Sequence, residues 1–410
     1  MENKQTMRIS PSENEEKTPV TGYAWVVFFV AYTAAFVCGL NFMKIPPIMP
    51  DLMTYFKIGL SRAGLMMAVF AFVSLILGLP SGVFVQKYGI KTVAIVGMAC
   101  SAIGSALGAL STNYTVFLIS RGFEGIGFAL IGLVTFTVAG IWFPPHKMGL
   151  PMGLANTYMG VSGFVALAGI PWVAHRYGWI SVWWLTAALS FISLLSVIAF
   201  VRMPPWMSTE NLAARGAKSP SLLEGFANRN IWLWAAAGFC VFFPLVLLNY
   251  YMTYLNQVQG YTLQRAGLVS SLSSVGLLFG GPLAGILIGK FGHHLKAAFS
   301  VSIVIYCLLL LIAFHITGIV IPIWMVVMGA LGSGFLPTVI MTAVPGIMGS
   351  PQMTGMGIAI ATFGIYASFV ISPVFFGAVV ERAGWNAGLY ALIPVVLMGI
   401  VFASMTKIRK

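Results

Sequence analysis

Apolar runs of about twenty residues recur along the chain from Tyr23 to the C-terminus, and that repetition restricts the fold more than any single motif. A helix rises about 1.5 Å per residue, so each run can cross roughly 30 Å of hydrocarbon with its backbone groups paired internally. Of the 410 residues 59% are hydrophobic and 8% charged, against roughly 25% charged in soluble domains, which makes the bilayer the second solvent. The runs predict helices over 24–47, 63–86, 92–111, 114–143, 149–174 and 179–201, and again over 231–257, 266–289, 296–316, 318–345, 354–380 and 385–405. The expected class is an all-α membrane protein with twelve transmembrane helices in two pseudo-symmetric six-helix bundles.

Between the two sets lies the longest polar stretch. There Pro204, Pro205 and Pro220 break structure, and Glu210, Arg215, Lys218, Glu224 and Arg229 need water. The division that follows is an N-terminal tail 1–22, a bundle 23–201, a linker 202–230, a second bundle 231–405 and a tail 406–410. Lys87, Lys91, Lys147, Arg202, Lys290 and Lys296 fall on the same side as the two tails, while the other side keeps chiefly Lys57, Arg62, Arg176, Arg265 and Arg382. The positive-inside rule therefore puts both termini in the cytoplasm, with the first span as insertion signal and no cleavable leader. This topology also accounts for the +13 formal charge: no basic stripe is interleaved with aromatics, so nucleic acid is not an expected partner. Cys38, Cys100, Cys240 and Cys307 each sit within an apolar run without pairing or metal spacing, so buried free thiols and no metal or cofactor are expected.

The second set of helices repeats the first. Arg62-Ala63-Gly64-Leu65 returns as Arg265-Ala266-Gly267-Leu268, and at the same spacing Gly78, Gly82 and Gly89 return as Gly281, Gly285 and Gly292. Met152-Gly153 and Gly178-Trp179 find counterparts in Met356-Gly357 and Gly384-Trp385. Duplication explains why the same helix contacts are needed twice. Two parallel repeats place a solute site near the midplane between the halves, exposed alternately as one half rocks against the other.

After the second span the chain reads Gly82 to Lys91, with Gln86, Lys87 and Gly89, and after the eighth Gly285, Lys290 and Gly292 stand in the same frame. At the fourth span it reads Arg121-Gly122-Phe123-Glu124-Gly125-Ile126-Gly127. These stretches, within two six-helix repeats, resemble the major facilitator superfamily, with its cytoplasmic loop signature and its embedded arginine ahead of a glycine pair. Gln86 replaces the family's acid, which removes one partner of the usual charge relay. The resemblance implies a monomeric secondary transporter without cofactor, a conformational role for the loop residues, and a cavity lined by helices one, four, seven and ten. The Gly-Pro signature of drug antiporters is missing from helix five, where the chain reads Gly160-Val161-Ser162-Gly163 and then Gly169-Ile170-Pro171.

A charge in the bilayer centre costs about 2.5 to 3.5 kcal/mol on insertion scales, so Arg121 and Glu124 are functional candidates. Their i, i+3 spacing equally fits an internal ion pair. Glu124 is the acid named for proton coupling. Lys44 is read either as a ligand of an anionic substrate, acting with Arg121, or as a side chain snorkelling to the headgroups from a span that ends at Ile45-Pro46-Pro47. Asn41, Asn156, Asn249, Tyr250, Tyr254 and Tyr366 complete the candidate substrate contacts, with interhelical hydrogen bonding as the competing role. No phosphate-cradling loop and no zinc-protease or nucleophile-elbow motif occurs, so nucleotide-driven transport and intramembrane catalysis are not expected. The function read from the sequence is alternating-access transport of a small organic or inorganic anion with proton coupling, in a bacterial inner membrane. The alternative is a multidrug/proton antiporter exporting lipophilic compounds.

Overall fold

The computed structural model describes residues 22–144, 147–202, 227–291, 295–349 and 351–407. The first half comprises α1 (Gly22–Met43), a 3-10 turn (Pro46–Ile48), α2 (Met49–Phe56), α3 (Leu60–Leu110), α4 (Tyr114–Trp142), α5 (Gly149–Tyr177) and α6 (Trp179–Phe200). The second comprises α7 (Arg229–Phe242), a 3-10 turn (Phe243–Leu245), α8 (Val246–Gln257), α9 (Leu263–Phe291), α10 (Leu295–Leu311), α11 (Val320–Met328), a π-helical segment (Gly329–Phe335), α12 (Leu336–Met348), α13 (Pro351–Ala383) and α14 (Trp385–Met405). Eleven segments are long and apolar enough to cross a membrane, with Leu295–Leu311 a shorter twelfth, and there is no strand among the described residues. The tail 1–21, linker residues 203–226 and Gly292 lie outside the described residues.

Several boundaries differ from those read in the sequence, each for a local reason. The expected second and third spans are joined in α3, which turns at Gly89 without a loop; its φ of 79° is readily available only to glycine. The first span does not end at Pro47. Pro46 and Pro47 sit in the first turn of a 3-10 segment, where their missing N–H groups cost nothing, and the chain continues as α2 to Phe56. Lys44 thus lies inside the span, and Asp51 falls within it as well. Pro244 interrupts the seventh span in the same manner. The expected ninth span, 296–316, closes as a helix at Leu311. The tenth contains a π-helical stretch that apolar periodicity does not reveal.

Duplication is visible in the backbone. Gly178 and Gly384 each separate two long helices with φ of 81° and 85°. In the second half α9 lies against the tenth span with no side chains between them: a Cβ at Gly276 or Gly280 would meet the backbone of Val326 or Ala330, and one at Gly329 the backbone of Ser273. Small residues at both surfaces permit this approach, and dispersion across it holds the helices where lipid offers no hydrophobic drive.

The halves meet at one end of the molecule. A Cβ at Gly64 of α3 would stand 2.5 Å from the Pro373 carbonyl and from the Tyr250 hydroxyl, and one at Gly377 of α13 would stand 2.7 Å from the Leu60 carbonyl. On the other seam Gly267 of α9 packs on the Leu167 backbone, and Gly160 and Gly163 of α5 pack on Leu278 and Ser274. Toward the opposite end glycines of the same helices make no such contacts. Around Gly78 and Gly82 of α3, Gly149 and Gly153 of α5 and Gly285 of α9, nothing lies within 4 Å of an added Cβ. One end is latched and the other, among the described residues, is open around these glycines.

Candidate functional site

The latch is polar as well as tight. The backbone N–H of Ser61, in the first turn of α3, donates to Glu381 Oε1 of α13 at 3.2 Å, so a carboxylate from one half caps a helix start of the other. Tyr250 Oη of α8 donates to the Leu60 carbonyl at 3.2 Å and to the Pro373 carbonyl at 2.9 Å, pinning α8 between α3 and α13.

Deeper in the first half, three charged side chains share one fully buried cluster. Glu124 lies ten residues into α4, about 15 Å along its axis from the latched end, which is membrane depth. Its Oε1 accepts from Lys44 Nζ at 2.5 Å and from Ser105 Oγ at 2.6 Å, and its Oε2 accepts from Arg121 Nη1. Lys44 Nζ also donates to Asn41 Oδ1 at 3.0 Å and Thr186 Oγ1 at 2.9 Å, and it stands 4.3 Å from the Trp183 ring centroid. Arg121 donates from Nη1 to the Asn41 carbonyl at 2.9 Å and from Nε to the Met66 carbonyl at 3.3 Å, and its guanidinium lies over the Phe70 ring at 4.6 Å. Its Nη2 has no hydrogen-bond partner. Ion pairs in a low-dielectric interior repay their desolvation only when the remaining polar sites are satisfied, and here nearly all are. The charge is not balanced: two cations face one carboxylate.

An aromatic layer separates the cluster from the open end. Phe128 is one turn beyond Glu124 on α4, and its ring meets Phe42 at 5.5 Å and Phe70 at 5.4 Å. Across the midline Phe369 of α13 meets Phe42 at 5.8 Å and Phe242 at 5.8 Å, while Tyr366 stands edge-on to Phe128 at 6.5 Å. The two halves therefore touch at mid-depth through rings, and the charges sit behind the rings of the first half.

The candidates of the sequence reading fall into separate places. Asn41, Lys44, Arg121 and Glu124 come together; Lys44 is wholly enclosed and does not snorkel. Tyr366 joins the aromatic layer, and Asn249 is half-buried on α8. Tyr250 belongs to the latch, and Tyr254 donates to the Phe314 carbonyl at 3.1 Å within its own half. Asn156 is exposed on α5 and donates to the Met152 carbonyl one turn back. Of the loop residues, Gly82 and Gly285 border open space, Gln86 and Lys91 are half-exposed, and Lys290 is exposed at the end of α9. Lys87 lies over the ring of its neighbour Tyr88 at 5.3 Å. Ser105, Thr186, Trp183 and the phenylalanine layer were not singled out in the sequence. Ser105 and Thr186 have no local signal, since a hydroxyl inside an apolar run normally bonds its own helix.

Twin helical halves packed through glycines, latched at one end and carrying a buried charge cluster are the frame of a membrane transporter. The chain belongs to the Major Facilitator Superfamily, whose family model matches residues 31–354. It is 21% identical over 326 residues to the riboflavin transporter RibZ of Clostridioides difficile, a match covering 67% of this chain and 71% of that protein. It is 22% identical over 285 residues to probable anion transporter 1, chloroplastic, of Oryza sativa subsp. japonica, covering 65% of this chain; it spans only about half, 54%, of that relative. Among solved structures it is similar in fold to a bacterial homolog of the human lysosomal transporter Spinster, described as inward-facing and occupied. The TM-score is 0.75 at 16% identity, covering 94% of this chain and 98% of that one.

Proposed function

We propose that this transporter carries a small anion by alternating access, coupled to protons through Glu124. The observation that carries the reading is the unbalanced cluster, in which Lys44 and Arg121 share one carboxylate inside the protein. An uncompensated charge in a low-dielectric interior is costly, and an anion drawn between the halves offsets it. Protonating Glu124 raises the positive excess and loosens both cations, which favours anion entry; losing the proton restores the ion pairs and expels the anion. One proton and one anion then move together.

The excess of Lys and Arg on the open side supports placing that end and both termini in the cytoplasm, with residues 60–64 and 373–381 closing the outer face. Outward opening then requires the Ser61–Glu381 and Tyr250–Leu60 bonds to break. Lys87, Lys91 and Lys290 lie at the end that closes in exchange, where they would meet helix C-terminal carbonyls across the seam.

Uptake by the purified chain in proteoliposomes, over a panel of radiolabelled anions, tests the reading. Transport is expected to rise with an inward acid gradient, to lose its dependence on that gradient in Glu124→Gln, and to fall at least tenfold in Lys44→Ala and Arg121→Ala. Anion uptake unchanged in both cation variants removes the basis of the proposal. Protection of an export-deficient host against lipophilic cations would instead favour multidrug efflux.

A further inference from the structure

The buried charge is distributed very unevenly. All three enclosed ionic groups belong to α4 and the end of the first helix of one half, whereas the second half presents Phe242, Tyr366 and Phe369 at the same depth. Its described charged residues are Arg229, Arg265, Lys290, Lys296, Glu381, Arg382 and Lys407, all at or near helix ends. A solute entering at mid-depth between the halves therefore meets aromatic rings of both, with the cations enclosed behind Phe42 and Phe128 on the first-half side only.

Resting on the anion reading above, we propose that the substrate is an organic monocarboxylate with an apolar body, its carboxylate toward Arg121 and its body between the facing aromatic rings. Three observations converge. With Glu124 ionised the cluster holds one positive charge in excess, the counterpart of a single carboxylate. Of the three guanidinium nitrogens, Nε is held by the Met66 carbonyl and Nη1 by the Asn41 carbonyl and Glu124, so only Nη2 is available. That rules out the paired-nitrogen fork by which arginine grips phosphate or a second carboxylate. Finally, Phe42, Phe128, Tyr366 and Phe369 bring four rings from both halves to the midline, and such faces receive hydrocarbon or another ring while offering little to an inorganic ion's hydration shell. Hydrophobic contact with the second half and charge contact with the first would tie the halves together only when both ends of the solute are present.

Thermal-shift and calorimetric titration of the full chain in nanodiscs tests the assignment with benzoate, butanoate, hexanoate, succinate, phosphate, sulfate and benzylamine. Benzoate and hexanoate are expected to bind, with affinity rising about fourfold per added methylene from butanoate to hexanoate. Succinate, phosphate, sulfate and benzylamine are expected to bind at least tenfold more weakly. Phe369→Ala, which leaves the ion cluster untouched, is expected to weaken benzoate binding about tenfold and to flatten the methylene series. Arg121→Lys keeps the charge and is expected to retain measurable benzoate binding if folded. Tighter binding of phosphate, sulfate or succinate, or a flat chain-length series in the wild type, overturns the monocarboxylate assignment and leaves the anion reading standing. Binding of benzylamine with no anion bound overturns both.

Discussion

At the scale of single residues the balance of the buried cluster turns on Glu124, since removing it raises the positive excess the interior must tolerate from one charge to two. Glu124→Gln leaves Lys44 and Arg121 enclosed with no carboxylate between them, and removing one partner of a buried pair costs about 3 to 5 kcal/mol. The variant is expected to melt well below the wild type in a detergent-solubilised thermal assay. Adding Lys44→Met restores the original excess charge and places an apolar chain beside Trp183, so the double variant is expected to recover a substantial part of the loss. Equal melting of the single and double variants would show that charge balance is not what holds the cluster. The sequence made Arg121, Glu124 and Lys44 visible because charge within an apolar run needs explanation. It did not make their common meeting point visible: Lys44 stood before two prolines that read as an ending, and only the 3-10 continuation through Pro46 and Pro47 keeps it inside.

Alternating access would move whole helices, and here the close glycine contacts do what side chains do elsewhere. At Gly64 any side chain would meet the Pro373 carbonyl and the Tyr250 hydroxyl, so Gly64→Val is expected to hold the latched end apart. Spin labels on α3 and α13 near residues 60 and 381, read by pulsed electron resonance, should report a longer distance than in the wild type. Tyr250→Phe deletes only the hydroxyl and its two bonds, worth about 1 kcal/mol net. It is expected to shift the same distance distribution by several-fold in population without unfolding the bundle; an unchanged distribution would mean that packing alone closes this end. Element number and order were legible, because twelve apolar runs and the paired glycine motifs repeat. The bends were not: Gly89 turns α3 without interrupting it, and the π segment at Gly329–Phe335 depends on close backbone approach to α9, which no one-dimensional pattern records.

For the molecule as a whole, alternating access means that the latched end must open during each cycle. The chain's own thiols are buried or half-buried at Cys38, Cys100, Cys240 and Cys307, so reagents of low permeability should discriminate an introduced pair from them. Ser61→Cys with Glu381→Cys, joined by a short bifunctional maleimide, is expected to stop uptake in proteoliposomes, and either single variant treated alike is expected to keep it. Uptake that survives the cross-link would show that the latched end need not part. The placement of all three enclosed charges among the described residues in one half has an electrical consequence as well. If that half swings through the membrane field with its cation uncovered, the empty carrier moves charge, and each full elementary charge crossing 100 mV is worth about 2.3 kcal/mol. A proton on Glu124 and a monovalent anion in the cleft together add no net charge to that half, so voltage would weigh equally on the loaded stroke and the empty return.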